Sequence, residues 1–181
     1  MTVTYGFYNS VGGDRTYDAV QLSSIFDGVI TDGVFEMVGD GLIVADGSGL
    51  GIVVGTGKAW FNHTWTVNDA DLGLTLDAAD IVNPRIDTVI IEVDASIGVR
   101  ANSIKIVTGI PGAVPAEPTL LNTEEIHQYP LAHIYLGAGV SEIVPGDITN
   151  LIGSVYCPFV TVPQAGTVGG SASILELQVF S

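Results

Sequence analysis

Glycine keeps every apolar run in this chain short. Val, Ile and Leu gather in stretches such as residues 42–45, 51–54 and 88–93, and glycines at 41, 47, 49, 51, 55 and 57 punctuate the first of these. Short runs rich in β-branched residues suit a pleated, half-buried surface, and turns recurring at this interval predict an all-β sandwich or barrel. A bilayer-spanning helix needs roughly 20 consecutive apolar residues, and no stretch comes near that. No basic segment leads an apolar one at the start, so no secretory leader is expected.

The period-two pattern locates several strands. Leu72, Leu74 and Leu76 alternate with Gly73 and Thr75, as a strand with one buried face should. Residues 58–61 and 64–67 read as two arms of a hairpin with Asn62 and His63 at its tip. Residues 86–93 and 99–107 read as a second pair, joined by a loop over 94–98. Residues 131–136 read as a further strand, with Pro145, Gly146 and Asp147 forming a turn before Ile148. Tyr156, Phe159, Val160 and Val162 suggest a last strand region. A loop over 165–173 then leads to a terminal alternation of Ile174, Leu175, Leu177, Val179 and Phe180.

Three places break the strand pattern. Asp18 followed by Gln21 matches a helix capping box, and Leu22, Ile25, Phe26 and Val29 follow at helical spacing, bracketed by Gly28 and Gly33. A single helix is therefore expected near the start. Pro111, Pro115 and Pro118 make residues 109–119 an extended connector, the expected crossing between layers or subdomains. Residues 122–128 allow a turn or two of helix, stopped by Pro130. The fold expected is mainly β: a β-sandwich or barrel-like domain of short antiparallel strands with one N-terminal α-helix. Residues 1–40 form an extended segment and helix suited to attachment, and residues 41–181 form the β-rich domain.

Charge is scarce and one-sided. Charged residues are 14% of the chain while apolar residues are 47%, against roughly 25% charged in an ordinary soluble domain. With spanning helices ruled out, the scarcity points to a surface partly buried in an assembly. There are 20 acids and five bases, a net charge of −15. That balance argues against nucleic-acid binding, which requires clustered cations to displace counterions, and against anionic membranes. The lone Cys157 permits no intramolecular disulfide and no cysteine zinc site, and its apolar neighbours suit a small core residue.

Catalytic and metal-binding sets are not evident. Gly55-Thr56-Gly57-Lys58 lacks the leading glycine and the final hydroxyl of a phosphate loop, since Ile52 and Ala59 stand there. Residues 39–49 are rich in Gly and Asp, but have neither the spacing of an EF-hand nor a nonapeptide period. His63, His127 and His133 are scattered. Nothing in the spacing of the acids favours a paired-carboxylate hydrolase. Neither cofactor nor metal is expected, and the chain is expected not to be an enzyme. Arg85 and Asp87 lie at i and i+2 after the turn-forming Asn83-Pro84, so a structural charge pair across neighbouring strands is expected. Arg15 beside Asp14 has the same reading. Trp60 and Trp65 flank the hairpin tip. They are expected in the core, and the alternative is a platform for stacking sugar rings, as in a carbohydrate-binding module.

The ordered set of local motifs resembles a family. Tyr5-Gly6-Phe7-Tyr8-Asn9-Ser10, then Gly13-Asp14-Arg15-Thr16-Tyr17-Asp18-Ala19, is similar to the N-terminus of a group of bacteriophage baseplate and tail-fibre proteins. The likeness continues through Gly33-Val34-Phe35, Gly57-Lys58-Ala59-Trp60-Phe61-Asn62, Leu72-Gly73-Leu74-Thr75-Leu76 and Asn83-Pro84-Arg85-Ile86-Asp87. It resumes in the proline-rich connector, in Pro130-Leu131-Ala132-His133-Ile134 and in Gly146-Asp147-Ile148-Thr149-Asn150. The resemblance covers residues 5–150 and implies a virion structural protein, assembled in the host cytoplasm. It would join fibre or receptor-binding parts to the tail as a homo-oligomer, a trimer or ring, and would contact host glycans only indirectly. In that group an elongated or receptor-binding part often follows the matching region. Here the remaining residues read as more strands, which favours an adaptor. Tyr5, Phe7, Tyr8, Asp14, Arg15, Trp60, Arg85 and Asp87 are the interface or structural candidates.

Overall fold

The computed structural model describes residues 11–13, 17–26 and 28–162. Tyr5, Phe7, Tyr8, Asp14 and Arg15 lie outside the described residues, as do the expected loop over 165–173 and the alternation that ends the chain. The architecture is mainly β, as expected, with three antiparallel sheets and one short helix among the described residues.

The helix α1, Ala19–Ser23, begins with the expected capping box. Asp18 Oδ1 accepts from Gln21 N at 2.8 Å, and Gln21 Oε1 accepts from Asp18 N at 3.1 Å. It is shorter than the apolar spacing predicts. Ser23 and Ser24 turn their hydroxyls back onto Val20 O and Gln21 O, competing with the helical ladder. A single 3₁₀ turn over Ser24–Phe26 follows, and Gly28 then leaves in the left-handed region.

Three strands, β1 (Gly33–Val34), β4 (Gly57–Phe61) and β5 (Thr64–Asn68), form one sheet in the order β1-β4-β5. A second sheet has the order β2-β3-β6, from Val44–Asp46, Gly51–Val54 and Leu72–Thr75. The largest has the order β10-β9-β7-β8, where β7 is Arg85–Asp94, β8 Ala101–Val107, β9 Ile126–Leu136 and β10 Ile148–Asn150. The four-stranded sheet faces the two smaller ones across the core, sandwich-fashion, and no barrel closes. Val89, Ile91 and Val93 of β7 and Leu131 and Ile134 of β9 pack in one cluster with Val34, Leu42, Ile52, Val54 and Phe61 from the opposite side. Phe61 stacks on Tyr129 with ring centroids 4.1 Å apart. Burial pushes the Tyr129 phenol up to about 12.

The expected hairpins are present. Asn62 and His63 turn the first with φ of 47° and 62°, the double left-handed geometry of a type I′ turn. Two expectations need correction. Residues 122–128 make no helix: Thr123 Oγ1 accepts from the N–H groups of Glu125 and Ile126, fixing a turn, and β9 starts at Ile126. Pro130 therefore lies inside an inner strand. It is tolerated because the ladder with β7 slips there, between Val89 and Ile90, and because β10 pairs only with Ala132, His133 and Ile134. A proline at a bulge gives up no ladder hydrogen bond.

The proline-rich connector does not join layers or subdomains. It leaves β8 on one side of β7 and delivers β9 on the other side, within one sheet. Glu117 in this crossover lies 4.0 Å from His133 Nε2, and His133 Nδ1 meets Thr88 Oγ1 at 2.9 Å. Thr88, Ile90 and Glu92 are buried along with their alternating neighbours, so β7 is covered on both faces. Cys157 is fully buried, as expected of a core residue, and burial pushes its thiol up to about 12. Among the described residues no helix is long and apolar enough to cross a membrane.

Candidate functional site

Arg85 and Asp87 do form a structural pair, but along one strand and not across two. Both side chains leave β7 on the same face, two residues apart, and Arg85 Nε meets Asp87 Oδ1 at 2.9 Å and Oδ2 at 3.1 Å. Both are almost wholly removed from water. Desolvating an ion pair is costly unless its remaining donors and acceptors are used, and here they are. Arg85 Nη1 donates to Ala78 O at 2.8 Å, and Nη2 donates to Asp77 O at 2.6 Å. Asp87 Oδ1 also accepts from Gly109 N at 2.8 Å. The pair thus fastens two loops to one end of the large sheet, one over 76–84 and one over 108–115.

Further bonds tighten these loops. Thr108 Oγ1 donates to Asp77 Oδ2 at 3.1 Å, and Gly112 N donates to Pro84 O at 2.9 Å. Asp80 Oδ1 accepts from the N–H groups of Val82 and Asn83, and those backbone bonds, Asn83 first, hold its carboxyl below the usual range. Gly109 packs so closely that a Cβ there would lie 2.0 Å from Ile86 O.

What the fastened loops present to water is apolar. Ile81, Val82, Ile110 and Val114 are exposed from 71% (Val82) to 88% (Val114). Single exposed aliphatics are ordinary, but a group on two preorganised, mutually bonded loops is a candidate interaction surface. Sequence reasoning missed these four. A signal exists: Val82, Ile110 and Val114 each stand beside Pro, Gly or Asn, and Ile81 lies two residues before Asn83, in breaker-rich segments where no strand or helix face can bury them.

A second apolar face lies on the outer side of the β1-β4-β5 sheet. Trp60 and Trp65 are directly opposed across β4 and β5 and so share a face. Their fates differ. Trp60 is 8% exposed, with the Phe26 ring 5.2 Å from its own, whereas Trp65 is 64% exposed. Core placement, expected for both, holds for neither: Trp60 is buried, but on the outer face and outside the cluster that holds Ala59 and Phe61, and Trp65 is exposed. Leu22, Ile25, Phe26 and Val29, the stripe expected to bury the helix, are each about two-fifths exposed or more, and α1 buries no residue fully. Lys58 lies on the same face with its ammonium 5.2 Å from the Phe35 ring.

Other chemistry is sparse among the described residues. No group of three or more His, Cys, Asp or Glu side chains is placed to hold a metal ion. Asp40, in the Gly- and Asp-rich stretch, bonds Thr56 Oγ1 at 2.6 Å and Thr56 N at 3.2 Å, which fixes the turn before β4. His127 Nδ1 meets Asn122 Oδ1. Burial holds the His133 imidazole below its ordinary value, opposed by Glu117. A cleft of about 250 Å³ lies between β6 and β8, lined by Leu74, Thr75, Asp77, Lys105, Ile106 and Thr108. It is smaller than the roughly 300–1,000 Å³ of ligand pockets, and its one cation, Lys105, is engaged with Glu92 at 2.7 Å.

Compared with known proteins, the chain matches no family model, no curated protein and no solved structure.

Proposed function

We propose that this chain is a non-enzymatic structural subunit of a bacteriophage tail or baseplate, an adaptor that attaches fibre or receptor-binding parts through protein–protein contacts. The observation that carries the assembly reading is the apolar loop pair, Ile81 and Val82 with Ile110 and Val114, fastened by the buried Arg85–Asp87 unit. Preorganised loops lose little entropy on docking, so such a surface suits a stable contact. The scarcity of charge supports the same reading, and the likeness of residues 5–150 to baseplate and tail-fibre proteins supplies the phage context. In this reading the subunit is a homo-oligomer, a trimer or ring, resident in the virion, and takes no cofactor.

The test has two arms. Light scattering on the purified chain should report an oligomer that Ile110→Asp with Val114→Asp dissociates while the fold persists. Labelled electron microscopy of assembled particles should then place the chain in the tail. A stable monomer at high concentration that binds no tail component would sink the proposal.

The exposed ring of Trp65 favours one alternative, a carbohydrate-binding module stacking a sugar there. With Phe26 against Trp60, the platform reduces to Trp65. Glycan binding abolished by Trp65→Ala in a folded protein would favour that alternative.

A further inference from the structure

Three open sheets have six edge strands, and five of the six are engaged along at least part of their length. Residues 158–160 bridge β1, with Val34 N donating to Pro158 O and Val160 N donating to Val34 O, both at 2.9 Å. β10 meets β2 through Asn150, whose side chain bonds both Val44 N and Val44 O. β8 meets β5 through Asn102 Nδ2, which donates to Thr64 Oγ1, Trp65 O and Thr66 Oγ1. The sixth edge is β6, and among the described residues nothing is hydrogen-bonded along its free side.

An open edge is a row of unpaired N–H and C=O groups. The ladder fixes which residues carry them. Leu76 N donates to Leu50 O, toward β3. By the period of two, Leu72 and Leu74 turn their backbone groups the same way, and Gly73 and Thr75 turn theirs outward. Gly73 and Thr75 are both exposed. Leu72 and Leu74 pack their side chains against the core cluster, as Ile106 does from β8. The cleft between β6 and β8 runs along this edge, and Leu74 and Ile106 line it. A strand laid there meets unpaired ladder groups on β6 and an apolar floor for every second side chain.

Charge says what kind of strand. Asp69 and Asp71 precede β6, Asp77 follows it, and all three are exposed. The one cation of the cleft, Lys105, is held by Glu92 at 2.7 Å. A second copy of β6 suits this edge badly. Antiparallel pairing that matches the free groups would set Gly73 opposite Thr75, and therefore Asp71 of each copy opposite Asp77 of the other. Like charges directly opposite are destabilising.

We propose that β6 is a docking edge for an extended segment of a different protein, which adds as a further strand to the β2-β3-β6 sheet. The segment turns aliphatic residues at alternate positions into the cleft and carries Lys or Arg at its ends, facing Asp71 and Asp77. This goes beyond the reading above, because the edge is a separate surface from the loop pair and its chemistry does not depend on residence in a virion.

The probe is an end-capped heptapeptide, Lys-Val-Thr-Val-Thr-Val-Lys. In antiparallel register its lysines lie opposite Asp77 and Asp71 and its threonines opposite Thr75 and Gly73. Added to the full chain, it should slow amide exchange at Gly73 and Thr75 at least about tenfold and leave β7 and β9 unchanged. Thr75→Pro removes one free donor and no bond to β3, so the edge persists and binding should weaken at least about tenfold. Should Thr75→Pro disturb the fold, the same peptide N-methylated at its two threonines leaves the protein untouched and should not bind. A peptide with Glu in place of Lys should bind at least about tenfold more weakly at low salt. Ile110→Asp with Val114→Asp should leave peptide binding as in the wild type, which separates this site from the loop surface. No protection at Gly73 and Thr75 with the peptide at about 1 mM would overturn the proposal. Equal binding of the Glu peptide would overturn the basic partner. Slow exchange at both amides in the peptide-free chain would also overturn it. A second copy would then hold the edge if the protection grew with protein concentration, and the chain itself if it did not.

Discussion

Asn150 grips the backbone of Val44 at both of its polar ends. Its Oδ1 accepts from Val44 N at 2.9 Å and its Nδ2 donates to Val44 O at 2.8 Å. A side-chain amide has the donor and acceptor of a peptide unit, so Asn150 joins β10 of the large sheet to β2 of a small one as a strand would. The remaining sheet junctions use the same device. Asn102 Nδ2 on β8 reaches Thr64 Oγ1 and Thr66 Oγ1 on β5, each at 2.9 Å. Asn68 Nδ2 on β5 reaches Val54 O at 3.1 Å and Gly55 O at 2.9 Å at the end of β3. Asn150→Ala removes two part-buried bonds and should cost about 1–3 kcal/mol in urea unfolding. Asn150→Asp should be no milder, because a carboxylate cannot donate to Val44 O.

Removing either member of the buried ion pair leaves the other uncompensated. Arg85→Met and Asp87→Leu should each cost about 3–5 kcal/mol. Made together they should cost clearly less than the sum, because no charge is then left unpaired. In all three variants amide exchange should quicken at Gly109 and Gly112, which the hub and its loops hold in place. A double-mutant cycle that comes out additive would contradict the coupling.

Gly109 tolerates no side chain. The 2.0 Å approach to Ile86 O is to backbone of the central strand, which cannot step aside. Overpacking of this kind costs about 1–3 kcal/mol and sometimes more. Gly109→Ala should reach the upper end, and a thermal melt within a degree of the wild type would refute the close approach.

The hairpin tip is open to improvement. His63 occupies the second left-handed position of its turn, where glycine is preferred. His63→Gly should stabilise the chain by roughly 0.5–1 kcal/mol, offset in part by the greater freedom of glycine when unfolded. A lowered denaturation midpoint would show that contacts of the imidazole outweigh the backbone strain.

Acid should weaken the fold partly through Glu92. Hydrogen bonds from Lys105 and then Gln128 hold its carboxyl below the ordinary 4.5. A depressed carboxylate contributes stability above its unfolded value and loses it as pH falls through its folded value. Lys105 is half in water, so screening limits the contribution to about 1 kcal/mol. Glu92→Gln should lower stability at neutral pH and flatten its decline between roughly pH 5 and pH 3. An unchanged acid limb would exclude Glu92 as a contributor.

Local devices were readable from the sequence. The capping box at Asp18 and Gln21, the turn at Asn62 and His63, and the alternation at Leu72 and Leu74 involve residues a few positions apart, and each stands where the pattern puts it. What depends on distant partners was not readable. Pro130 looks like a breaker until the slip in the β7–β9 ladder accommodates it. Asn150 and Val44 are 106 positions apart, and no local rule marks an asparagine as a sheet joint. Arg85 and Asp87 were identified as a pair, but their cargo of two loops lies in carbonyls and one amide that carry no sequence signature. Trp65 was expected inside because tryptophans usually are. Its exposure follows from its place on an outer face where the Phe26 ring, in the turn after α1, packs against Trp60 while Trp65 stays open to water.

Thr31 and Thr161 form a clasp beside the Val34–Phe159 bridge, with Thr31 N donating to Thr161 O and Thr161 N donating to Thr31 Oγ1, each at 2.9 Å, and this clasp sets how the molecule bears tension. Its bonds bring together the points where the chain enters and leaves the sheets. A pull applied at Ile30 and Val162 would load the clasp and the short pairing of Val34 with residues 158–160 first. The large sheet, with its long β7–β9 ladder, would hang outside the load path like a pendant on a closed ring. Force would open the ring at Thr31 before it reached the core.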